Sequence, residues 1–288
     1  MRNIGNNIQL YNANEAQKIL GTKVFHGMLY DKGGAHMNPL NYSIGIGQAI
    51  KTDARNVTIH ENSAATAINF HTPKGHEIIV NNQNTIYAKK IVLAANYGNG
   101  EFVSRLNNNW IPISTFMLST QPISPHILKS MLTNRTAVFD TRNVMNYFRL
   151  SETNCLLFGG GDAIGQFKID SIKQLLYNDM IKIYPQLIGI KIQNFWHGKD
   201  SFTVNLAPTI GRVEGDDTIY HGEGYSGQGL ALSNLTGKMF ADSINGNHHN
   251  LKLFEMIKPF YLLKAKWFQN LSAKLGMEYF KILDTLEN

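Results

Sequence analysis

The segment GEGYSGQGLALSNLTGKMFADSI (222–244) constrains this chain more than any other. A strand ends at Tyr220-His221, the chain turns through Gly222, Gly224, Gly227 and Gly229, and a helix begins at about Leu230. One or two glycines would serve a plain strand–helix connection. Four of them let backbone N–H groups converge with no Cβ in the way. The first turn of the helix adds unpaired N–H groups and roughly half a positive charge from its dipole. Such a turn favours a negative charge carried by a ligand, by on the order of 1 kcal/mol. It is not a phosphate loop of the GxxxxGK[ST] kind. From Gly224 onward its glycines are spaced GxxGxG, the reverse of the GxGxxG order of a dinucleotide turn.

The rest of the chain reads as mixed α and β structure. Residues 8–20 predict a short strand, then a helix capped at Asn12 or Asn14 and stopped by Gly21. Residues 24–30 read as a strand, DKGG (31–34) as a turn, and 38–53 as a helix opened by Asn38 and Pro39. A strand is expected at 57–61, a hairpin over 68–82 turning at PKG (73–75), and a strand at 85–89. IVLAAN (91–96) is apolar enough for a strand buried on both faces. Gly45 and Gly47 mimic a nucleotide loop, but Ile50 replaces the third glycine and no strand directly precedes them. The expected reading is small residues that pack a helix closely. Antiparallel runs follow at 113–123, 136–141, 145–152 and 155–161. Residues 171–187 have helical spacing up to Pro185, and 191–204 return to strand. Over 251–286, Leu, Phe, Trp and Tyr recur every three or four positions, a stripe expected to pack on the body or on a partner.

Composition excludes several classes. Of 288 residues, 43% are hydrophobic and 17% charged, which suits one large globular domain or two interleaved ones. The balance of 27 basic to 21 acidic residues gives +6. A nucleic-acid groove needs clustered cations, whereas the lysines are scattered and Lys89-Lys90 leads into an apolar run. A nucleic-acid partner is therefore not expected. The single cysteine, Cys155, allows no internal disulfide and no thiolate metal cluster, and in CLLFGGG it reads as a buried, inert thiol. The start is polar with no apolar segment behind it, and no run approaches a membrane span, so a reducing cytoplasm is the expected setting.

With LAPTIGRV (206–213) before it, the turn and helix at 222–244 resemble the closing segment of the D-amino-acid-oxidase-like FAD oxidoreductases. GMLYDKGGAHMNPLNYSIGIGQAI (27–50), ENSAATAI (61–68), IVLAAN (91–96), FDTRNVMNYFRLSETNCLLFGGGD (139–162) and LGMEYFKILDTL (275–286) are similar, in order, to elements of its gamma-glutamylputrescine oxidoreductase group. The resemblance implies an α/β fold. An incomplete Rossmann-like FAD-binding domain (1–101 and 207–246) would carry an inserted antiparallel substrate-binding sheet (102–206), and a helical tail (247–288) would close the chain. It implies FAD as cofactor and a small amine as substrate. Hydride passes from the C–H beside the nitrogen to flavin N5, and the imine is then hydrolysed. By position, Gly224, Tyr225, Ser226, Gly227, Gln228 and Gly229 would contact the flavin. Ala65, Ala95 and Asn96 would meet the rest of FAD through their backbone. His36, Tyr147 and Arg149 are substrate-side candidates.

Each of those three has a plainer alternative. Tyr147 and Arg149 alternate with Phe148 on a strand and serve equally as its polar side, and His36 serves as a cap of the helix at 38. Two departures stand out. The family opens with a strand and a GxGxxG turn that takes the FAD pyrophosphate, and the beginning of this chain shows neither. His221-Gly222-Glu223 stands where the family has smaller, more apolar residues. Three readings follow: a separately encoded N-terminal FAD-binding chain completes the site, or the chain is a truncated, inactive remnant or interaction subunit, or its true start lies upstream.

Overall fold

The computed structural model describes residues 7–53, 56–104, 106, 110–258, 275–279 and 282–284. Most of the aromatic stripe expected in the tail lies outside these residues. The first elements are β1 (Ile8–Asn12), α1 (Ala13–Leu20), β2 (Gly27–Asp31), α2 (Pro39–Asp53), β3 (Ala65–Thr72), β4 (Gly75–Val80), β5 (Asn84–Ala88), β6 (Ile91–Leu93) and α3 (Asn99–Phe102). Then come β7 (Ile111–Thr120), α4 (Pro125–Leu128), β8 (Val138–Phe139), β9 (Tyr147–Leu150), β10 (Leu156–Ala163) and α5 (Ile169–Ile183). The chain continues with β11 (Ile192–Phe202), β12 (Thr209–Arg212), β13 (Ile219–Glu223), α6 (Gly229–Ile244) and α7 (His249–Glu255). The chain divides into two units. One comprises 1–37, 113–199 and 271–288, the other 38–112 and 200–270.

The first unit is built on a five-stranded sheet in the order β11-β7-β10-β9-β8. Side chains alternate across a strand, so Phe116 and Leu118 of β7, Phe148 and Leu150 of β9, and Leu156 and Phe158 of β10 share one face. They meet Leu176 and Met180 of α5 and Ala16 and Leu20 of α1 in the main core. The antiparallel register sets the other face. Leu157 lies opposite both Ser119 and Arg149, and Gly159 opposite both Met117 and Tyr147.

Helix α1 starts as expected at Asn12. The Glu15 N–H donates to Asn12 Oδ1 at 3.0 Å, and the Asn12 N–H donates to Glu15 Oε2 at 2.9 Å, a reciprocal cap. It stops at Gly21, whose φ of 76° is left-handed.

In the second unit β13 pairs antiparallel with β12 and parallel with β6, while β3, β4 and β5 form a separate meander. Helices α6 and α7 cover the first sheet with Met239, Phe240 and Leu251 against Ile210 and Tyr220. Arg212 of β12 is tied to Glu255 of α7 at 2.9 Å.

Three expectations fail here. Residues 57–60 form no strand, because pairing with β4 begins only where Ala65 meets Val80. The strand at 91–96 is three residues long, and Val92 is 42% exposed between buried Ile91 and Leu93. Asn96, at φ 52°, then turns the chain out of the sheet. Finally, Gly45 and Gly47 do not pack closely: a Cβ at either meets no atom within 4 Å, and α2 has no buried residue among those described.

A Cβ at Gly21 would overlap the Ser130 carbonyl oxygen in addition to straining the left-handed φ. Gly21→Ala is expected to destabilise the first unit by at least about 2 kcal/mol. The check is the urea midpoint at unchanged m-value.

Candidate functional site

The glycine-rich turn is held from outside by the end of β11. Asp200 accepts the Gly227 N–H on Oδ2 at 2.9 Å, and its Oδ1 takes the Ser201 N–H at 2.8 Å and Asn96 Nδ2 at 3.3 Å. Ser201 Oγ accepts the Gly224 N–H at 2.8 Å and itself donates to Asn96 Oδ1. The Ser226 N–H goes to the Ser201 carbonyl at 3.1 Å, and the Gln228 N–H to the Tyr225 carbonyl at 2.9 Å. The Thr203 N–H is answered by Ser226 Oγ at 3.1 Å. Most N–H groups of the turn are therefore spent on its own shape.

The donors beyond them are not. No side chain caps α6, and among the described residues the N–H groups of Gly229, Leu230 and Ala231 have no backbone acceptor. Gly227, Gln228 and Leu230 are exposed beside them. This is an open, positively polarised helix end on a fixed platform. Only glycine suits position 224, where φ is 70° and a Cβ would press on Thr203 Cγ2.

Of the residues singled out in the sequence, Asn96 joins the Gly224–Gly229 turn through Asp200 and Ser201. The Ala95 N–H is taken by Asn99 Oδ1 at 2.9 Å. Ala65 opens β3 opposite Val80 and belongs to the meander. The ring of Tyr225 is buried in the core under α6, so only its main chain belongs to the turn.

The spacing itself needs correction. Counted from Gly222, the glycines also read GxGxxG between a strand and a helix. Gly222 is, however, a paired residue of β13 opposite Ile210, and its Cβ position is closed by Tyr225 Oη at 2.7 Å and Thr236 Cγ2 at 3.0 Å. The turn proper thus starts at Gly224. Asp200, Ser201 and Thr203 escaped the sequence reading. Their only local signal was three hydroxyl or carboxylate side chains within four residues, DSFT (200–203).

The substrate-side candidates come together in the first unit. Arg149 Nη1 lies 3.4 Å from His36 Nδ1, and its Nη2 donates to the Met37 carbonyl at 3.2 Å. His36 Nε2 is 3.1 Å from the Arg135 carbonyl. These partners assign the Nε2–H tautomer, which leaves Nδ1 as the acceptor from the guanidinium. His36 therefore does not cap the helix at Pro39; Asn38 Oδ1 does, accepting the Leu40 N–H at 3.1 Å. Tyr147 shares the face of Arg149. Its ring lies over Gly159, where a Cβ would fall inside it, and its hydroxyl donates to the Phe116 carbonyl at 3.3 Å. Burial, with the Asp162 carboxylate nearby, pushes the Tyr147 pKa up to about 12.

The chain belongs to the FAD dependent oxidoreductase family, which matches residues 1–243, and FAD is the cofactor of that family. The chain is 28% identical to the gamma-glutamylputrescine oxidoreductase of Escherichia coli over 280 residues, which cover 97% of this chain and 64% of that protein. It is 28% identical to the probable oxidoreductase OrdL of Haemophilus influenzae over 282 residues, 96% of this chain and 63% of that one. The chain thus spans less than two thirds of the curated relatives it matches. Its fold is similar to that of glycine oxidase from Geobacillus kaustophilus, with a TM-score of 0.72 at 19% identity, over 91% of this chain and 66% of that one. No helix among the described residues is long and apolar enough to cross a membrane.

Asp200→Ala should cost about 2 kcal/mol, the usual loss when a charged acceptor leaves backbone donors behind. It should also speed hydrogen exchange at Gly227 and Ser201, read residue by residue. Tyr147 carries a pH signature. Its folded pKa lies above the unfolded value, so its share of stability is full below about pH 10 and is lost as pH rises towards about 12. Tyr147→Phe should lose less stability over that window than the wild type in urea titrations at stepped pH.

Proposed function

We propose that the protein oxidises the C–N bond of a small amine, an amino acid or polyamine conjugate, with FAD held by the unit of β6, β13 and α6. The observation that carries this reading is the uncapped N-terminus of α6 behind a turn in which the N–H groups of Gly224, Ser226, Gly227 and Gln228 are already answered. The turn fits the pyrimidine edge of a flavin, a hydrogen-bond acceptor that gains negative charge on reduction. Fixed donors and a helix dipole hold such a charge without reorganising. Bound FAD supplies the hydride acceptor; the chain supplies position and electrostatics.

Gly224 to Gly229 would hold the flavin through their main chain, and Asn96, braced by Asp200 and Ser201, would extend the same wall. Ala65 and Ala95 are proposed to meet the rest of FAD through their backbone. For its phosphates we propose a separately encoded nucleotide-binding chain. The exposed Leu40, Ile44 and Ile46 on α2 support that partner. A cytoplasmic setting goes with the one buried cysteine, Cys155.

In the other unit, Arg149 would hold an anionic group of the substrate. Its present partners, a carbonyl and a neutral imidazole, are weaker acceptors than a carboxylate, which the planar guanidinium grips with two parallel bonds. His36 orients the guanidinium through Nδ1. Tyr147 stays protonated at working pH and can only donate or accept a hydrogen bond there.

The test is the visible absorbance of the purified chain with FAD, alone and with any upstream-encoded partner, before and after adding amines. A bound-flavin spectrum that bleaches with an amine is expected. Arg149→Met should then raise KM for carboxylate-bearing amines roughly thirtyfold, about 2 kcal/mol, with kcat changed far less. No flavin retained under either condition would leave a non-catalytic remnant or interaction subunit as the account.

A further inference from the structure

Directly before the turn sits a charged group that the proposed function does not use. Glu223, the last residue of β13, is 0% exposed. Its Oε2 accepts from Asn99 Nδ2 at 2.7 Å, and its Oε1 lies 3.1 Å from His221 Nδ1. Asn99 is also 0% exposed. Its Nδ2 further reaches the Leu93 and Gly222 carbonyls, both at 3.2 Å, and its Oδ1 takes the Ala95 N–H at 2.9 Å.

Burying a carboxylate completely is costly even when it is paired and hydrogen-bonded, and an apolar side chain of the same size would fill the space more cheaply. A structural tie between the ends of β6 and β13 does not need it, because Asn99 makes that tie with backbone groups alone. The carboxylate adds a negative charge one residue before Gly224, held by Asn99 at one oxygen and facing His221 at the other. The Tyr225 hydroxyl registers it: burial chiefly, and the Glu223 carboxylate in addition, raise its pKa. Asp200 meets the turn at Gly227, and His221 meets Glu223 itself.

We propose that Glu223 is a positioning residue of the cofactor turn. Its buried anion opposes the positive end of α6, weakens the hold of the turn on reduced FAD relative to oxidised FAD, and so keeps the potential of the bound cofactor low. This rests on the reading of Gly224 to Gly229 as the flavin turn. The complete burial of Glu223 lets its field reach the turn with little screening.

The experiment is the midpoint potential of FAD bound to the full chain, in wild type, Glu223→Gln and Glu223→Asp, with the melting temperature as control for folding. The glutamine removes the charge and keeps an acceptor for Asn99, and its amide N–H meets His221 Nδ1 once that ring carries its proton on Nε2. Affinity for reduced over oxidised FAD should rise at least tenfold, about 30 mV for a two-electron couple, while Glu223→Asp stays near the wild type. Equal potentials in wild type and Glu223→Gln, with FAD bound to both, overturn the proposal and leave the flavin reading intact. A wild-type chain that takes up no FAD, alone or with an upstream-encoded partner, overturns both. Should Glu223→Gln not fold, Glu223→Met replaces it: an apolar side chain of similar size removes the same charge and should shift the ratio the same way. No shift there also overturns the proposal.

Discussion

The carboxylate of Asp200 is the anchor on which the glycine turn depends. A loop of glycines has the largest backbone entropy to lose on ordering, and nothing in its own composition resists that loss. Asp200 and Ser201 supply the resistance from β11, receiving N–H groups of Gly224, Ser226 and Gly227 and fixing the Asn96 amide on the same side chains. Since these acceptors take the N–H groups of Gly224, Ser226 and Gly227, the exposed donors among the described residues lie at the first turn of α6. The location of the free donors is thus decided by which neighbours are satisfied, not by the glycines themselves.

The first unit solves a related problem with bulk. Gly159 makes room in β10 for the Tyr147 ring, which is thereby pressed flat on the sheet and desolvated. One strand step away, Arg149 is aimed by neutral acceptors, His36 and the Met37 carbonyl, and not by a carboxylate. That choice matters chemically. A guanidinium already neutralised by an acid has little left for an anionic ligand, whereas one held by a carbonyl and an imidazole keeps its charge available.

How much of this the sequence disclosed follows from the range of each interaction. The cap of α1 was legible because Asn12 and Glu15 are three residues apart, and Gly21 is readable as a stop for the same local reason. The glycine turn was legible by density of one residue type. The segment 57–61 has strand composition but no partner, and a strand is a property of a pair. The apolar run at 91–96 ends early because Asn96 leaves the sheet to meet Asp200, a bond across 104 residues. Asp200 and Gly227 are 27 residues apart, Asn99 and Glu223 are 124 apart, and no periodicity signals either pairing. His221 and Glu223 looked like departures from the family; in the fold they form one buried set with Asn99.

An oxidoreductase places an unusual demand on a binding turn, because its cofactor alternates between two charge states in the same seat. A turn that relaxed around one of them would bind it more tightly and resist the other. The polar anchors around Gly224 and Gly227 leave little to relax, so any preference between the two states must be built in as fixed charge. In the proposed reading the α6 dipole would contribute one sign of that charge and Glu223 the other, and both are placed by contacts within the same unit. The balance between them is therefore a property of β13, α3 and α6 and of the residues that pack them.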